Sequence, residues 1–356
     1  MKICVFTDTH LGARNNCSIF NEYFLKFYND IFFPYLEKNQ IKYVVSLGDL
    51  GEYRKQINLS ILDSWNKNVF ERLKDYRCFF ISGNHDLFYR HNNEISLQSS
   101  LQLDKKFGFE LITTHPRTIV LDGRSIDLIP WISSGNQKEI LEFITSSSSA
   151  LLLGHLEISG ALMTPGMYCQ ESHLPTSLLN QYHKVLSGHF HLRSTLGNVT
   201  YIGNPYEIIW SDYGYDKGFA ILDSETLELE YINNPYHMFE KIVVDDTLQI
   251  SDLDLSRFNN KHVKLYVSQG SKRSKVETLL ALLEQQNLLS LSVKEEELID
   301  NKSDDKEKEN LGIMSNTMDY VKLYINDLYQ NQSMRLDKEK MIGTMNRIYQ
   351  QAQQQE

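Results

Sequence analysis

Ile3-Cys4-Val5-Phe6-Thr7-Asp8-Thr9-His10 is the stretch that decides the fold, because a short apolar run ends directly in a polar block. Such runs predict buried strands, and the arrangement recurs four more times. The five runs are residues 3–6, 43–47, 78–81, 151–153 and 184–186, and the blocks that follow them are Asp8-Thr9-His10, Gly48-Asp49, Gly83-Asn84-His85-Asp86, Gly154-His155 and Gly188-His189-Phe190-His191. Together they predict a layered α/β core with ligands at the carboxyl ends of its strands.

Two segments between these runs have near-helical spacing of apolar residues. The first spans residues 18–38 and the second lies between the second and third runs, and their apolar positions are Phe20, Phe24, Phe27, Ile31 and Tyr35, then Ile61, Trp65, Val69 and Leu73. A further group of strands is expected at residues 118–121, 126–129, 199–202, 219–222 and 227–232. We expect this group to form a second sheet that packs on the first.

Length and composition predict two domains and a tail. The chain has 356 residues, of which 41% are hydrophobic and 11% aromatic, enough for a sizeable core and a smaller accessory unit. The predicted parts are a main domain at 1–235, a small α/β accessory domain at 236–293, a charged linker at 294–313 and C-terminal helices at 314–356. The apolar stripe of those helices either folds back on its own domain or docks onto a partner.

Cysteine usage and charge limit the environment and the partners. The four cysteines have no paired C-x-x-C spacing, which favours reduced thiols and a cytoplasmic protein. No signal peptide and no membrane span is expected. The formal net charge of -10 opposes autonomous, tight binding to DNA, so any contact with nucleic acid requires a local basic patch or a partner.

The polar blocks supply carboxylate, amide and imidazole ligands, a combination that suits two divalent cations able to cut a phosphate ester. Asp49 is the candidate bridge, because a carboxylate spans two cations whereas a neutral imidazole offers one lone pair. The remaining ligands divide into Asp8, His10 and His191 for one ion and Asn84, His155 and His189 for the other.

His85 is the candidate catalytic acid, because it directly follows the candidate ligand Asn84 without being needed as a ligand itself. The neighbouring Asp86 is expected to fix the tautomer of His85 and to stabilise its protonated form. A single Asp-x-His or Gly-His has little value as a signal. All five blocks in order, each after an apolar run, make chance an unattractive explanation.

The order and the residue types of the blocks resemble those of the calcineurin-like metallophosphoesterases, and within them those of the SbcD-type nucleases of double-strand-break repair. The opening block Asp8-Thr9-His10-Leu11-Gly12 is similar to that of this nuclease group. Four further segments resemble the recombination endonuclease subunits of T4-like phages: Ile126-Asp127-Leu128-Ile129-Pro130-Trp131, Gly154-His155-Leu156-Glu157, Ser187-Gly188-His189-Phe190-His191 and Tyr201-Ile202-Gly203-Asn204-Pro205. The resemblance covers roughly residues 1–232 with specific motifs.

The resemblance implies a four-layer β-sandwich flanked by helices, with a small capping domain and C-terminal helices. It implies two manganese ions, with magnesium as an alternative, and cleavage of DNA as a duplex-end exonuclease and a single-strand endonuclease. It also implies an SbcC-type coiled-coil ABC ATPase as partner and a homodimer within a heterotetramer. Its ligand set and its phosphate-contacting histidine coincide with the residues assigned above.

Two alternatives remain at this point. A phosphoprotein or cyclic-nucleotide phosphoesterase would use the same metals, but this chain has Glu52-Tyr53 after the second block where protein phosphatases of the superfamily place an Asp-Arg-Gly type of sequence. A non-catalytic scaffold for a coiled-coil ATPase would keep the fold. A site that is no longer catalytic commonly loses at least one ligand, whereas this chain keeps the full set. Glu52 would repel a phosphate unless it binds metal or pairs with Arg54 or Lys55.

Overall fold

A computed structural model describes residues 1–170, 172 and 174–295 of the chain. Within these residues the strands are β1 Lys2–Phe6, β2 Tyr43–Ser46, β3 Arg77–Ile81, β4 Glu110–Ile112, β5 Arg117–Leu121, β6 Arg124–Ile129, β7 Leu151–His155, β8 Leu162–Thr164, β9 Met167–Tyr168, β10 Lys184–Gly188, β11 Ser194–Leu196, β12 Val199–Tyr201, β13 Gly218–Asp223, β14 Leu229–Asn233, β15 Phe239–Val244, β16 His262–Val267 and β17 Ser290–Glu295. All five apolar runs that precede a polar block are therefore strands.

The α-helices of the described residues are α1 Ala13–Asn16, α2 Ser18–Phe27, α3 Phe33–Lys38, α4 Leu59–Trp65, α5 Glu71–Leu73, α6 Leu97–Ser100, α7 Leu103–Phe107, α8 Gln137–Ser146 and α9 Arg273–Leu283. A π-helical turn, Tyr28–Phe32, joins α2 to α3, and a second, Asn66–Phe70, joins α4 to α5. The other helical segments are 3-10 turns at Thr176–Gln181, Trp210–Asp212, Ile250–Asp252 and Leu255–Phe258. No described helix is both long and apolar enough to cross a bilayer.

Two six-stranded sheets form the sandwich, with strand orders β14-β13-β1-β2-β3-β4 and β11-β12-β10-β7-β6-β5. Strands β1 to β4 run parallel, as do β6, β7, β10 and β12, whereas β13, β14, β5 and β11 are antiparallel to their neighbours. Parallel strands point their carboxyl ends to the same edge of a sheet. The blocks that follow β1, β2 and β3 therefore share one edge, and those of β7 and β10 share another.

Side-chain alternation along β1 shows how the layers pack. Ile3 and Val5 point into the space between the two sheets, where they join Leu128, Leu153 and other apolar residues of the second sheet. Cys4 and Phe6 point to the opposite face, which α2 to α5 cover. Helix α8 covers the outer face of the second sheet. The result is the expected order of helix, sheet, sheet and helix.

The division of strands between the two sheets differs from the expectation. Strands β13 and β14, expected in the second sheet, extend the first sheet beside β1. Strands β7 and β10, expected beside β1 to β3, belong to the second sheet with β6 and β12. Apolar runs identify strands, but pairing partners come from contacts far apart in the chain, which periodicity does not encode. The polar blocks consequently come from both sheets.

A third sheet, of order β15-β16-β17, lies in the region expected to form the accessory domain. Strands β15 and β16 are parallel, and Leu279 and Leu283 of α9 pack against Ile242 and Leu265 of the sheet. Phe239, at the start of β15, contacts Phe20 of α2 with ring centroids 6.3 Å apart. Strand β17 extends through Glu295, into the first two residues of the linker expected at 294–313. The rest of that linker and the C-terminal helices expected at 314–356 lie outside the described residues.

Replacement of Trp65 by alanine is expected to destabilise the fold by about 3–5 kcal/mol. Trp65 is fully buried on α4, contacts the rings of Tyr28 and Phe70, and donates from Nε1 to Asn21 Oδ1 at 2.9 Å. Urea unfolding measures the loss. Leu59→Ala on the same helix is the matched control, because Leu59 is 78% exposed and its truncation is expected to change stability by less than about 0.5 kcal/mol. Equal changes in the free energy of unfolding for the two variants would contradict the role of Trp65 in the packed core.

Candidate metal centre

The five polar blocks converge at the carboxyl ends of strands from both sheets. Asp8 and His10 follow β1, Asp49 follows β2, and Asn84 and His85 follow β3. His155 is the last residue of β7, and His189 and His191 follow β10. The first sheet thus supplies the carboxylates and the amide, and the second supplies three of the imidazoles.

Glycines in the blocks allow the loops to approach closely. A Cβ atom on Gly83 would lie 2.2 Å from Asp49 Oδ1, and one on Gly188 would lie 2.0 Å from Thr7 Oγ1. Real Cβ atoms do not approach neighbours so closely, because the atoms would overlap. These glycines therefore permit the contact between neighbouring strand ends that brings the donors together.

Several donors sit on left-handed backbone, which L-residues other than glycine adopt at a cost. Their φ angles are 52° at Asp8, 47° at His10, 51° at Asp49 and 90° at His189. Such strained residues cluster at functional sites, where surrounding structure holds them in place. Because His189 has this conformation, the backbone bends at His189-Phe190-His191 directly after β10.

The first donor group consists of Asp8, His10 and His191, whose ligand atoms all lie within 4.8 Å of one another. His10 Nε2 and His191 Nε2 face each other across 3.1 Å. Two imidazole lone pairs at this distance repel unless a proton or a cation lies between them. The group therefore fits a divalent cation bound by two nitrogens and a carboxylate.

The second donor group consists of Asp49, His155 and His189, whose ligand atoms also lie within 4.8 Å of one another. Asn84 joins it through its amide oxygen, which is 3.2 Å from His155 Nε2 and 3.0 Å from His189 Nδ1. The structure thus brings together the residues that the sequence analysis assigned to the second ion. Their mixed nitrogen and oxygen donors suit a divalent cation.

Asp49 lies between the two groups. Its Oδ2 atom is 3.4 Å from His155 Nε2 and 4.0 Å from His10 Nε2. Its Oδ1 atom accepts a hydrogen bond from the His85 backbone amide at 2.8 Å. Burial raises the pKa of the Asp49 carboxyl, but the facing imidazoles of His155 and His10 outweigh burial and hold that pKa well below its usual range. The carboxylate is therefore charged and available to both groups.

Each of the four imidazoles uses its outer nitrogen for a protein contact, which leaves the other nitrogen directed into the site. An acceptor-only partner places the ring hydrogen on Nδ1 of His155 and His10 and leaves Nε2 to bind a metal ion, and the partners of His191 and His189 orient those rings. The contacts are His155 Nδ1 to Leu47 O at 2.8 Å, His10 Nδ1 to Glu52 Oε2 at 2.9 Å, His191 Nδ1 to Asn204 Nδ2 at 3.3 Å and to Asp212 Oδ1 at 3.6 Å, and His189 Nε2 to Glu157 Oε1 at 3.7 Å.

The electrostatic environment favours positive charge at this position. Burial lowers the pKa of His10, but the Glu52 carboxylate and then Asp49 raise it to about 9. Burial likewise lowers the pKa of His155, but Asp49 raises it to about 9. Carboxylates concentrated among buried imidazoles attract a cation, whether a proton or a metal ion.

His85 lies beside the first donor group, with its ring edge against His10 and the two centroids 4.9 Å apart. Its Nδ1 atom is 2.7 Å from the backbone oxygen of Glu52. A carbonyl only accepts, so Nδ1 carries the hydrogen and Nε2 is left to act on a ligand. The Glu52 carbonyl, in the loop after the second block, therefore fixes the tautomer of His85. The sequence analysis expected Asp86 to have this role.

The expected pairing of Asp86 with the His85 ring is therefore corrected. The buried Asp86 carboxylate accepts hydrogen bonds from Gly51 N at 3.0 Å, Gly83 N at 2.8 Å and Gln98 Nε2 at 2.7 Å. Burial raises the pKa of Asp86 to about 6, and the nearby Asp49 charge adds to the increase. Asp86 connects the loops of the second and third blocks. Although Asp86 is next to His85 in the sequence, its carboxylate contacts these loops and not the His85 ring.

Sequence reasoning missed the residues that support the ligands. Asp212 and Lys217 form a buried ion pair of 2.7 Å, and Lys217 Nζ donates to the His191 carbonyl at 3.0 Å. Glu157 was quoted only as a part of a family motif, and Glu52 was considered a source of repulsion. These residues lie outside the five polar blocks, so the signal that identified the ligands does not apply to them.

Glu52→Gln is expected to weaken the affinity of the first donor group for Mn²⁺ by about 10- to 100-fold, because the negative charge that orients His10 is lost. Calorimetric titration of the full chain with Mn²⁺ measures the change. Glu139→Gln is the matched control, because Glu139 contacts the exposed His115 outside the site. Equal affinities of the two variants would show that Glu52 does not support the ligand.

Comparisons with known proteins are consistent with this geometry. A family model described as calcineurin-like phosphoesterase matches residues 1–193. The chain is 31% identical over 365 residues to Exonuclease subunit 1 of Enterobacteria phage T4, in an alignment that covers 99% of this chain and 100% of that protein. A solved archaeal phosphodiesterase covers 66% of this chain and 100% of its own length at 13% identity and a TM-score of 0.32.

Proposed function

Because the chain belongs to the calcineurin-like phosphoesterases, a family of hydrolases, we propose that it is the nuclease subunit of a DNA recombination and repair complex. In this proposal it hydrolyses DNA phosphodiesters as an exonuclease on duplex ends and as an endonuclease on single strands. The place of action is the cytoplasm of the cell in which the chain is made.

The observation that carries the proposal is the pair of donor groups that share Asp49, with the ring of His85 against one of them. We assign the seven ligands as in the sequence analysis: Asp8, His10 and His191 to one ion, Asn84, His155 and His189 to the other, and Asp49 to both. The donor set suits two Mn²⁺ ions, because imidazole nitrogens accompany carboxylates, and Mg²⁺ is the alternative.

When bound, divalent cations at such a centre polarise phosphoryl oxygens and acidify water. The residues of the chain provide the remainder of the chemistry. Asp49 holds the His85 loop through its contact with the backbone amide, and the Glu52 carbonyl directs His85 Nε2 away from the protein. A protonated His85 then stabilises charge on the phosphate and donates its Nε2 proton to the leaving oxygen.

The identity of the relative supports DNA as the substrate and a multisubunit assembly. Its name, Exonuclease subunit 1, describes one part of a nuclease that acts from chain ends. We propose an SbcC-type coiled-coil ABC ATPase as the partner and a homodimer of this chain within a heterotetramer. The C-terminal helices at 314–356 are the proposed contact with the ATPase, and residues 236–293 are the proposed cap over the DNA.

Cleavage of labelled linear duplex and single-stranded DNA with Mn²⁺ tests the function. We expect degradation of both substrates by the wild type, loss of it in Asn84→Ala, and wild-type rates in His115→Ala, a histidine outside the site. Parallel assays with p-nitrophenyl phosphate and cyclic AMP test the phosphatase alternative. Activity on these small esters far above that on DNA would reject the nuclease assignment, and absence of Mn²⁺ binding in calorimetry would favour a scaffold.

A further inference from the structure

We propose that Phe88 and Tyr89 form a stacking platform for the unpaired bases of a DNA strand whose phosphate lies at His85. This inference rests on the proposed nuclease function and adds a binding site for single-stranded DNA. Phe88 and Tyr89 are each 37% exposed, and the next two residues, Arg90 and His91, are also exposed. Adjacent exposed aromatic residues in a loop of the active centre require an explanation, since burial would otherwise be favoured.

The rings contact one another, and each presents its face in a different direction. Phe88 and Tyr89 are in edge-to-face contact, with centroids 4.9 Å apart, and the Tyr89 ring is 5.6 Å from that of His91. Every base has a π-face, so a base stacks on an aromatic ring without regard to sequence. A platform of this kind suits a nuclease that must accept any strand.

The backbone beneath the platform is held at several points. Phe88 N donates to Ile95 O at 3.0 Å, and the His91 carbonyl accepts from Gly135 N at 2.9 Å and from Ser134 Oγ at 3.1 Å. At the end of the loop, the buried Asn93 donates from Nδ2 to the carbonyls of Thr113 and Trp131. The exposed rings are therefore presented by an ordered loop, which reduces the entropic cost of binding a strand.

Positive charge accompanies the rings. Lys55 Nζ lies 5.9 Å from the Phe88 ring centroid, and Arg54 and Arg90 are in the same two segments. A groove of about 280 Å³ runs between these segments and is lined by Tyr53, Arg54, Lys55, Phe88 and Ile95, among others. In a chain of formal net charge -10, a cluster of cations beside aromatic rings is the local basic patch that contact with a phosphate backbone requires.

The platform is continuous with the candidate metal centre. Phe88 is three residues after His85, so their Cα atoms are at most about 11 Å apart. The segment that carries Lys55 also carries Glu52, whose carbonyl contacts the His85 ring. A strand whose phosphate lies at His85 therefore reaches Phe88 and Tyr89 within a few nucleotides.

The test measures binding of a fluorescein-labelled oligodeoxythymidylate of about 12 nucleotides to the full chain by anisotropy, in EDTA so that the strand is not cut. We expect Phe88→Ala/Tyr89→Ala to weaken binding by about 5- to 150-fold for each stacked base that is lost. Phe88→Tyr/Tyr89→Phe keeps both rings and is expected to restore binding. A blunt duplex of the same length has no unpaired bases and is expected to be less affected.

Charge is tested separately. Lys55→Ala is expected to reduce the slope of log K against log salt by about 0.7, which is the loss of one phosphate contact on a single strand. Lys138→Ala is the matched control, because its side chain is 90% exposed on α8 and has no place in the platform. Val120→Ala, which truncates a 59% exposed residue on β5, controls for loss of apolar surface.

Wild-type binding by the double alanine variant, or equal loss in the Val120→Ala control, would overturn the platform. Failure of the wild type to bind the strand would overturn it as well. If the double alanine variant loses binding and also melts at a lower temperature, the loss could come from unfolding. Phe88→Tyr/Tyr89→Phe then decides, because it keeps both rings and must bind as tightly as the wild type. If the wild type binds the strand through these rings but does not cleave it with Mn²⁺, the nuclease function fails and the platform stands.

Discussion

Asp49→Asn is expected to lower the rate of phosphodiester hydrolysis by about 10³-fold or more. The change keeps the size of the side chain but removes its negative charge and replaces one oxygen by an amide nitrogen. Asp49 Oδ2 lies between His155 Nε2 and His10 Nε2, so an amide nitrogen there has no lone pair for either donor group. A loss of several kcal/mol of stabilisation corresponds to this reduction in rate.

Single-turnover cleavage of a labelled single strand with saturating Mn²⁺ measures the effect. Calorimetry of the same variant is expected to show weaker binding of both ions, because both donor groups use this carboxylate. Asp104→Asn, an exposed carboxylate on α7, is the matched control and is expected to cleave at the wild-type rate. Activity of Asp49→Asn within about tenfold of the control would reject Asp49 as the shared ligand.

His85→Gln is expected to reduce DNA cleavage by about 10²- to 10⁴-fold without weakening Mn²⁺ binding. Glutamine has a similar reach, and the substitution leaves in place the backbone contact from His85 N to Asp49 Oδ1, so the loop geometry is expected to be preserved. It cannot donate an acidic proton at the position of Nε2. The loss should therefore be specific to the chemical step.

The leaving group distinguishes proton donation from simple phosphate contact. A DNA alkoxide needs a proton as it departs, whereas p-nitrophenolate is stable without one. Rates for DNA and for a p-nitrophenyl phosphodiester are compared in the wild type and in His85→Gln. A much smaller loss on the nitrophenyl ester supports the acid role. Equal losses on both substrates would limit His85 to contact with the phosphate.

The strands and helices around the site could be predicted because their apolar periodicity is local. The helical stripe at residues 18–38 was predicted with Ile31 and Tyr35 on the buried face, but Phe32, Phe33 and Leu36 are the buried residues. The π-helical turn adds one residue to a turn and rotates the stripe that follows it. No local pattern predicts that insertion.

The composition of the donor groups could also be predicted, because strand ends determine where a following side chain lies. The supporting contacts could not. Glu52 was expected either to repel phosphate, to bind metal or to pair with Arg54 or Lys55. In the structure its carboxylate contacts His10 and lies within reach of a cation shared with His10 and His85. The distance between such residues in the chain is too large for motif spacing to reveal the contact.

Because the donors come from two different sheets, a chain that is still being synthesised does not yet contain all of them. Strands β1 to β3 of the first sheet lead into Asp8, His10, Asp49 and Asn84, whereas His155, His189 and His191 come later in the chain, with β7 and β10 of the second sheet. Catalytic competence thus depends on synthesis beyond His191 and on docking of both halves. If the proposed function holds, nascent and partly unfolded copies are expected to lack hydrolytic activity until both sheets have formed.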